Sequence, residues 1–572
     1  MSQWGRSLFK TYLTIDPRSL GLFRLLFGAV LLSDLARRWA ELGFWYTNSG
    51  LLPNHTILWR PPARSMFSLF FTVSNTFEAQ LGFMLCTIAY LAFIVGYRTR
   101  WAQVLAFVAR VSLNSRLAPL ENGGDMVMDL LALLTLPLPL GTCFSLDALL
   151  FQPAKTAPRG KSGEEDSTSS DAPDEDAADS TPSDAPGAAS GDSAPSDAAL
   201  KHEPVVSFAV LALLLQFSAI YLFNASSKTG DAWRDGSAVY YALHQDKLVT
   251  WVGVWMREHL SISTLRFLTR STLATEWLGF ALIITPLWVK QARLLAICVM
   301  PLLHLGFAVG LNVGGFSPAM ISFYPLLLLP EHWEWLSRRF EARLAPRRAK
   351  LQAMALRWFG PRSRPEPMAT VNRWAIEAGT LVVLIAIASE ALNDNTPVPQ
   401  ALRLPQPSWA KAVIEYPRIL QGWRMFASEP SRVDSMIYVD AVTAAGEHVD
   451  PYNEVASDQH EPAGTVVPRH MGQSQFFVMY SERIPYDGYA AYRGAFAEWL
   501  VAYPERTGRP EDCLISYDVY LVTDKTPEMG SGAQPAPLDR QRFMNYSAPA
   551  DSPCRAEYAK RVASANNVSE RE

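Results

Sequence analysis

The sequence predicts a mainly α-helical protein, in which a polytopic bundle of transmembrane helices precedes a strand-rich α+β domain at the C-terminus. Of the 572 residues, 49% are hydrophobic. Runs such as 205–223 and 292–311 contain about 20 nearly uncharged residues, enough to cross a hydrocarbon core of roughly 30 Å. After residue 395 the pattern changes to short segments rich in β-branched and aromatic residues, which favour strands.

The apolar runs predict about nine transmembrane spans. They cover residues 18–36, 79–97, 101–118, 125–143, 205–223, 271–289, 292–311, 314–330 and 371–390. The span at 101–118 is the least typical, because it contains Arg110 and Arg116. The N-terminus is too polar for a cleavable signal peptide, so we expect the first span to remain as an anchor.

Positive charge in the short loops predicts the orientation, because loops rich in Lys and Arg stay on the cytoplasmic side. The residues that would share this side are Arg6, Lys10, Arg18, Arg98, Arg100, Lys290, Arg293 and the nine Lys and Arg from Arg338 to Arg364. The opposing residues are Arg37, Arg38, Arg60 and Arg64. The majority predicts a multi-pass protein of an inner membrane, with a cytoplasmic N-terminus and a periplasmic C-terminal domain.

Composition also predicts the domain boundaries. Residues 1–151 and 204–337 are the two halves of the bundle, 152–203 a linker, 338–370 a basic cytoplasmic segment, 371–394 the last span and 395–572 the outer domain. The linker is a Ser/Pro/Ala/Asp tract, with eleven Asp and Glu and no Lys or Arg in residues 162–200. Such a tract cannot bury a core, so we predict a disordered tether, with an interaction tail as the alternative. No basic groove with interleaved aromatic residues is present, which excludes a nucleic-acid partner.

In the outer domain, residues 435–442, 475–484 and 513–522 are predicted strands, with some helix near Tyr489–Tyr503. Cys513 and Cys554 lie where oxidation is allowed, and the sequence leaves open whether they are bonded. No Cys or His spacing suggests a metal site.

The strongest candidate site is the stretch NASSKTGDAWRDGSA, residues 224–238. Lys228 lies at the mouth of a predicted span, followed by Asp231, Trp233 and Gly236. Burial disfavours the charged form of a lysine, so Lys228 is a candidate base. The alternative is an interfacial lysine that extends to the lipid headgroups.

Several segments together resemble the HTTM (horizontally transferred transmembrane domain) family, which includes vitamin K-dependent γ-glutamyl carboxylase. They are LFRLLFGAVLLSDL (22–35), GYRTR (96–100), Ser-Leu-Asp (145–147), SSKTGDAWRDG (226–236), PLLHLGFAVGLNVGGFSP (301–318), WRMFASEP (423–430) and AAGEHVD (444–450). In 226–236, a lysine stands five positions before a Trp, and a Gly follows three positions later, as in the carboxylase pattern. The resemblance covers residues 15–330 and, less closely, 395–460.

The resemblance implies a carboxylase-like lyase that uses a reduced, vitamin K-like quinone, an exported protein substrate and no metal. Lys228 would be the catalytic base, and His304 a hydrogen-bonding group in the pocket. Trp233, Asp231, Gly236 and Arg24 would contact the cofactor.

The chain departs from the family pattern at Gly124, because carboxylases carry a catalytic His at this position. Glu121 or Asp125 would have to replace that imidazole. Without it, the carboxylase activity is a conditional expectation. The alternative is a non-catalytic membrane scaffold that binds or folds an exported partner. A transporter fits less well, since no paired inverted repeat is visible.

Two of the implied site residues also have structural interpretations. His304 in an apolar run is often a packed histidine that bonds a neighbouring carbonyl, although ionisable residues inside spans tend to face interior cavities. Arg24 lies too far from Asp34 to pair with it within one helix. We therefore expect Arg24 to form an ion pair with Asp125, Asp129 or Glu276, with an anionic substrate as the alternative.

Overall fold

The computed structural model describes residues 3–59, 61, 65–151, 203–362, 370–456, 474–534 and 536–569. All of the predicted linker except residue 203 therefore lies outside the described residues, as do residues 363–369 of the predicted basic segment.

The described chain is mainly helical. The first helices are α1 (Gln3–Leu13), α2 (Pro17–Ala40), α3 (Leu42–Trp45), α4 (Asn54–Trp59), α5 (Thr76–Val95), α6 (Thr99–Arg116), α7 (Gly123–Leu134) and α8 (Leu146–Leu150). After the linker come α9 (Phe208–Ser226), α10 (Asp231–Asp235), α11 (Ala238–Leu243), α12 (Trp251–His259), α13 (Ile262–Ile284), α14 (Val289–Gly310), α15 (Phe316–Phe323), α16 (Pro330–Phe359) and α17 (Thr370–Asp394). The C-terminal part contains α18 (Ser408–Glu415), α19 (Gln475–Arg483), α20 (Arg493–Val501), α21 (Tyr503–Thr507) and α22 (Pro553–Ser569).

Five of the described helices are long and apolar enough to cross a membrane: Pro17–Ala40, Thr76–Val95, Phe208–Ser226, Val289–Gly310 and Asn372–Asp394. This supports a membrane-embedded protein, but not the count of about nine spans. Two of the remaining predicted spans are much shorter helices than expected, at Gly123–Leu134 and Phe316–Phe323. Pro137 and Pro325 follow these two helices, and proline cannot continue the helical hydrogen bonding.

A two-stranded ribbon joins the two halves of the bundle. Strand β1 (Thr14–Ile15) pairs antiparallel with β2 (Val205–Val206). Helices α2 and α9 both begin directly after this ribbon, each with a side-chain cap. Asp16 accepts a hydrogen bond from the Arg18 amide, and Ser207 accepts one from the Ala209 amide. The ribbon therefore fixes where both helices start.

The C-terminal sheet has the strand order β5-β4-β3-β6-β7. Its strands are β3 (Val433–Thr443), β4 (His448–Asp450), β5 (Val455–Ala456), β6 (Leu514–Lys525) and β7 (Asp539–Ser547). The predicted strands at 435–442 and 513–522 are confirmed as β3 and β6, which pair antiparallel along most of their length. A disulfide between Cys513 and Cys554 ties the start of β6 to α22.

The predicted strand at 475–484 is wrong, because this segment forms α19. Its Ser474 side chain accepts a hydrogen bond from the Phe476 amide and so caps the helix. The buried residues Phe476, Tyr480 and Ile484 recur every four positions, which is a helical spacing. The predicted helix near 489–503 is confirmed by α20.

The C-terminal region from residue 395 contains the sheet and is named the sheet domain. This domain and helix α16 contact opposite ends of α2. At its start, Ser19 Oγ accepts a hydrogen bond of 2.8 Å from Trp333 Nε1 of α16. Just after its end, Glu41 Oε2 accepts one of 2.7 Å from Ser474 Oγ. Helix α2 has 24 residues, which corresponds to a length of about 36 Å at 1.5 Å per residue. The two regions are therefore separated by about the thickness of a bilayer core.

Candidate functional site

The loop that carries Lys228 is held against residues 423–430 of the sheet domain. The Gly230 amide donates a 3.1 Å hydrogen bond to the Ser428 carbonyl. The Ala232 amide donates to Glu429 Oε2 at 3.0 Å, and Trp233 Nε1 donates to the Phe426 carbonyl at 3.1 Å. A Cβ atom on Gly230 would lie 2.8 Å from Glu429 Cβ, so this approach requires glycine. The two sequence motifs, 226–236 and 423–430, thus meet in one place.

Lys228 is buried in an ion pair with Glu276 of α13. Its Nζ atom lies 2.7 Å from Oε2 and 2.9 Å from Oε1 of that carboxylate. It also lies 5.1 Å from the centre of the Trp233 ring, within range of a cation–π contact. Burial lowers the pKa of Lys228, and the Glu276 carboxylate acts against that shift. The side chain is therefore not the exposed, lipid-facing lysine of the alternative interpretation.

Glu276 also accepts a 2.8 Å hydrogen bond from Asn224 Nδ2. Asn224 lies four residues before Lys228, at the end of α9, so both side chains reach the same carboxylate. From the sequence, Glu276 was expected only as a possible partner for Arg24. The structure shows instead that it neutralises the candidate base.

A second polar cluster lies one to two turns earlier on the same side of α9. Tyr221 is three residues before Asn224 and seven before Lys228, which places all three on one face. The Tyr221 hydroxyl is 2.6 Å from His304 Nε2 and also hydrogen-bonds the Tyr324 hydroxyl. His304 is fully buried, and its Nδ1 atom has no partner among the described residues. The expected carbonyl partner is therefore replaced by a tyrosine.

Gly279 sets the distance between α13 and this cluster. It lies one helical turn after Glu276 on α13. A Cβ atom there would be 2.4 Å from Met300 Cε and 3.3 Å from Tyr221 Cγ. The absence of a side chain at Gly279 thus lets α13 approach α9 and α14 closely, which brings Glu276 within reach of Lys228.

Gly124, where the carboxylase pattern has a histidine, packs tightly against the start of α15. Its Cβ would lie 2.6 Å from the Phe316 amide nitrogen and 3.0 Å from the Gly315 carbonyl carbon. The Phe316 ring in turn packs against His304, with ring centres 5.5 Å apart. The surrounding backbone therefore leaves no room for an imidazole at this position.

Neither proposed substitute for that histidine is free. Asp125 pairs with Arg38 and, at 2.7 Å, with Arg110. Glu121 pairs with Arg418 of the sheet domain at 2.6 Å. Both carboxylates are therefore used for buried ion pairs.

The ion pairs of Asp125 belong to a larger buried network that the sequence did not predict. Its members are Asp34, Arg38, Arg110, Asp125 and Asp129, with Asp34–Arg38 at 2.7 Å and Arg110–Asp129 at 2.9 Å. A polar residue inside a span is costly, so the charges in these apolar runs were a usable signal. The sequence did not indicate which of these charged residues would pair with one another.

Arg24 is not part of the Lys228 site, and its predicted carboxylate partner is wrong. Its guanidinium donates to the backbone carbonyls of Phe93, Ile94 and Phe144. The first two belong to the last turn of α5, whose unpaired carbonyls attract a cation. The helix end thus takes the place of an acidic side chain.

Asp231 and Gly236 are close to Lys228 in sequence but have other surroundings. The Asp231 and Arg234 side chains are 78% and 72% exposed and lie 3.5 Å apart. Gly236 has a φ of 88° and ends α10 against Arg266. Of the predicted cofactor contacts, Trp233 alone lies against Lys228. From the sequence, no role was predicted for Tyr221, Asn224 and Tyr324, and Glu276 was not paired with Lys228.

A cleft of about 370 Å³ opens beside α14, one turn beyond His304. It is lined by Val249, Thr250, Trp251, Ala308, Leu311, Asn312, Val313 and Gly314.

The described residues contain no group of three or more His, Cys, Asp and Glu that could hold a metal ion. No family model, curated protein or solved structure matches the chain.

Proposed function

We propose that this multi-pass membrane protein holds a lipophilic, quinone-like ligand in its helix bundle, with Lys228 as the base. The resemblance to the HTTM family supports this proposal. The observation that carries it is the burial of Lys228 against Glu276 and Trp233. A lysine in a dry site releases its proton more readily than one in water, which suits a base that must work near neutral pH.

The Lys228–Glu276 pair gives this base a defined proton partner. When the shared proton moves from Nζ to the carboxylate, both groups are neutral, and Nζ has a lone pair that can accept another proton. A reduced quinone, when bound, would supply an acidic hydroxyl group and reducing electrons. Asn224 holds the carboxylate in place through its hydrogen bond to Oε1.

The neighbouring polar cluster would position the ligand. His304 Nδ1 has no hydrogen-bond partner within the described parts of the chain. This atom and the hydroxyl of Tyr221 are buried polar groups next to apolar rings, as is common in sites for small ligands. Trp233 would form one wall. The cleft beside α14 would give a lipophilic molecule access from the side of the bundle.

We also infer how the protein is oriented in an inner membrane. Helix α16 carries the basic segment at one end of α2, and the sheet domain lies at the other end. Because basic segments stay in the cytoplasm, the N-terminus and α16 are cytoplasmic and the sheet domain is periplasmic. An exported protein would then meet residues 423–430 beside the Lys228 loop.

A second candidate function is a non-catalytic scaffold for an exported partner. The observation that favours it is the closure of the Lys228 loop by the outer domain, through Ser428, Glu429 and Phe426. The close packing at Gly124, which excludes the family histidine, points the same way. In that case the ion pair between Lys228 and Glu276 would only hold the Lys228 loop in the position that the sheet domain contacts.

The experiment is mass spectrometry of lipophilic molecules that co-purify with the detergent-extracted protein. We expect a bound quinone in the wild type and its loss in Lys228→Ala and Glu276→Gln. The matched control is Lys247→Ala, which removes another buried lysine, paired with Asp434 at 3.3 Å and Glu482 at 2.9 Å. Retention of the same molecules in all four proteins would favour the scaffold. A quinone in the wild type would justify an assay of carbon dioxide incorporation.

A further inference from the structure

We infer that the exposed middle of α16 is a docking surface for anionic phospholipid headgroups of the adjacent leaflet. The inference is independent of the Lys228 site. The helix has 30 residues, which corresponds to about 45 Å, and both of its ends are anchored to the bundle.

At its start, Trp333 Nε1 donates to Ser19 Oγ, as described above. Just after its end, the Arg362 amide donates to the Leu150 carbonyl at 2.9 Å. The Phe359 ring also packs on Tyr97, between α5 and α6, with ring centres 5.8 Å apart. The helix therefore runs across the end of the bundle, at the level where α2 begins and α5 ends.

Between these anchors the helix has an apolar stripe that no described residue covers. Phe340, Leu344, Leu351, Met354 and Trp358 are 41% to 78% exposed. Their spacings of four, seven, three and four residues place them on one face. An apolar stripe at the ends of membrane spans is suited to the boundary between headgroups and acyl chains.

Basic side chains flank and interrupt this stripe. The exposed ones are Arg338, Arg339, Arg343, Arg347, Arg348, Lys350 and Arg357. Among the described residues, Arg338 pairs weakly with Glu334, at 3.9 Å, and no carboxylate pairs with the other six. Their charge is therefore available to phosphate groups, and basic residues beside an apolar stripe are the usual sequence feature of helices that bind anionic lipid.

The acidic linker could neutralise the basic side chains of α16, but it could not cover the apolar stripe. Residues 162–199 contain no aromatic residue and no Leu, Ile, Val or Met. They offer nothing to cover Leu344 or Trp358. A phospholipid leaflet provides both the negative charge and the apolar layer, and it lies beside the helix wherever the bundle is embedded.

The test measures the depth of a spin label on each face of the helix, in the full chain reconstituted into nanodiscs. The label is introduced at Leu344→Cys on the stripe, or at Ala342→Cys on the opposite face as the matched control. Both variants carry Cys298→Ala, because Cys298 is the exposed free cysteine among the described residues, whereas Cys86 and Cys143 are buried. Nanodiscs contain phosphatidylcholine alone or with phosphatidylglycerol.

With phosphatidylglycerol, we expect the Leu344→Cys label to be accessible to oxygen and shielded from a water-soluble nickel chelate, and the Ala342→Cys label to show the reverse. The contrast, meaning the difference in accessibility between the two labels, should be smaller in nanodiscs of phosphatidylcholine alone. It should also shrink in the triple variant Arg339→Gln/Arg343→Gln/Lys350→Gln, whose substitutions are exposed and spare the anchors.

Three results would overturn the inference. The two labels could be equally accessible to the nickel chelate, so that no leaflet covers the stripe. The contrast could be the same with and without phosphatidylglycerol, so that anionic headgroups are not recognised. Finally, shielding of Leu344→Cys could vanish when residues 162–200 are deleted, which would identify the linker as the occupant.

Discussion

Lys228 Nζ lies 2.7 Å from Glu276 Oε2, and the two side chains are only 2% and 3% exposed. Two charges lose their hydration when they are buried in this way, and their mutual attraction returns only part of that cost. The pair is therefore a poor source of stability but expensive to break. A buried pair that adds little stability fits a chemical role better than a purely structural one.

Removal of either partner alone should destabilise the bundle by about 3–5 kcal/mol, because the other charge stays buried without a partner. We expect this for Lys228→Met and for Glu276→Leu. The double variant should recover most of the loss, since both charges are then gone. Denaturant unfolding in detergent micelles measures all three. Additive losses in the double variant would contradict the interpretation of the pair as mutual neutralisation.

Restoration of the family residue through Gly124→His should not create a carboxylase. We expect it to destabilise the protein by about 1–3 kcal/mol, the usual cost of overpacking, since even a Cβ would lie 2.6 Å from the Phe316 nitrogen. The control is Gly306→Ala in α14, where a Cβ meets no atom of the described residues within 4 Å and helix propensity favours alanine by about 1 kcal/mol. Thermal unfolding compares the two. A Gly124→His protein as stable as the wild type would show that α7 and α15 can separate.

The sheet domain should lose stability as the pH rises from about 4 to above 6. Burial raises the pKa of Asp450 to about 6, although the amides of Val439, Tyr452 and Asn453 donate hydrogen bonds to it. The folded state therefore holds this proton more tightly than the unfolded state. The stabilisation that the protonated Asp450 side chain gives the folded state is therefore complete at low pH and is lost as the group ionises. The loss is on the order of 3 kcal/mol for a pKa difference of about two units.

The measurement is thermal unfolding of the full protein across this pH range, beside Asp450→Asn. The variant should be less stable at low pH, because its amide cannot accept as many hydrogen bonds, but its pH profile should be flatter. Parallel profiles in the two proteins would mean that Asp450 does not titrate in this range.

The disulfide between Cys513 and Cys554 provides a test of both stability and location. The two residues are 41 apart in sequence, and closing a loop of that length stabilises the folded state by roughly 4 kcal/mol. Cys513→Ser/Cys554→Ser should therefore unfold at lower denaturant concentration. In intact cells we expect these cysteines to be oxidised, because the proposed orientation places the domain in an oxidising compartment. Free thiols there would place the domain in the cytoplasm.

The sequence predicted the parts of the fold that depend on local patterns. Strands β3 and β6 and the candidate spans such as α9 follow directly from alternation, length and apolar composition. Residues 475–484 were misassigned because aromatic residues suggested a strand, whereas burial against the bundle favours the helical spacing. The lengths of short helices such as α7 were overestimated, since apolar composition alone does not show where the chain must turn.

The candidate site was predictable only in part. Lys228 and Trp233 were identified from sequence, and the structure places them together. Glu276 lies 48 residues from Lys228, and nothing local in the sequence indicates that the two meet. Their contact depends on the close approach at Gly279, which is a property of three packed helices. The partners of Arg24 could not be predicted for the same reason, because they are backbone carbonyls that no sequence pattern identifies.

The β1–β2 ribbon has a consequence for how the chain can be divided. Thr14 and Ile15 pair with Val206 and Val205, and α8 packs on α16 across the same division. The two halves are thus joined by contacts that do not require the peptide connection between residues 151 and 203. Two separately synthesised polypeptides, split within this stretch, should assemble into one complementing complex, which gives a way to build and label each half of the membrane bundle independently.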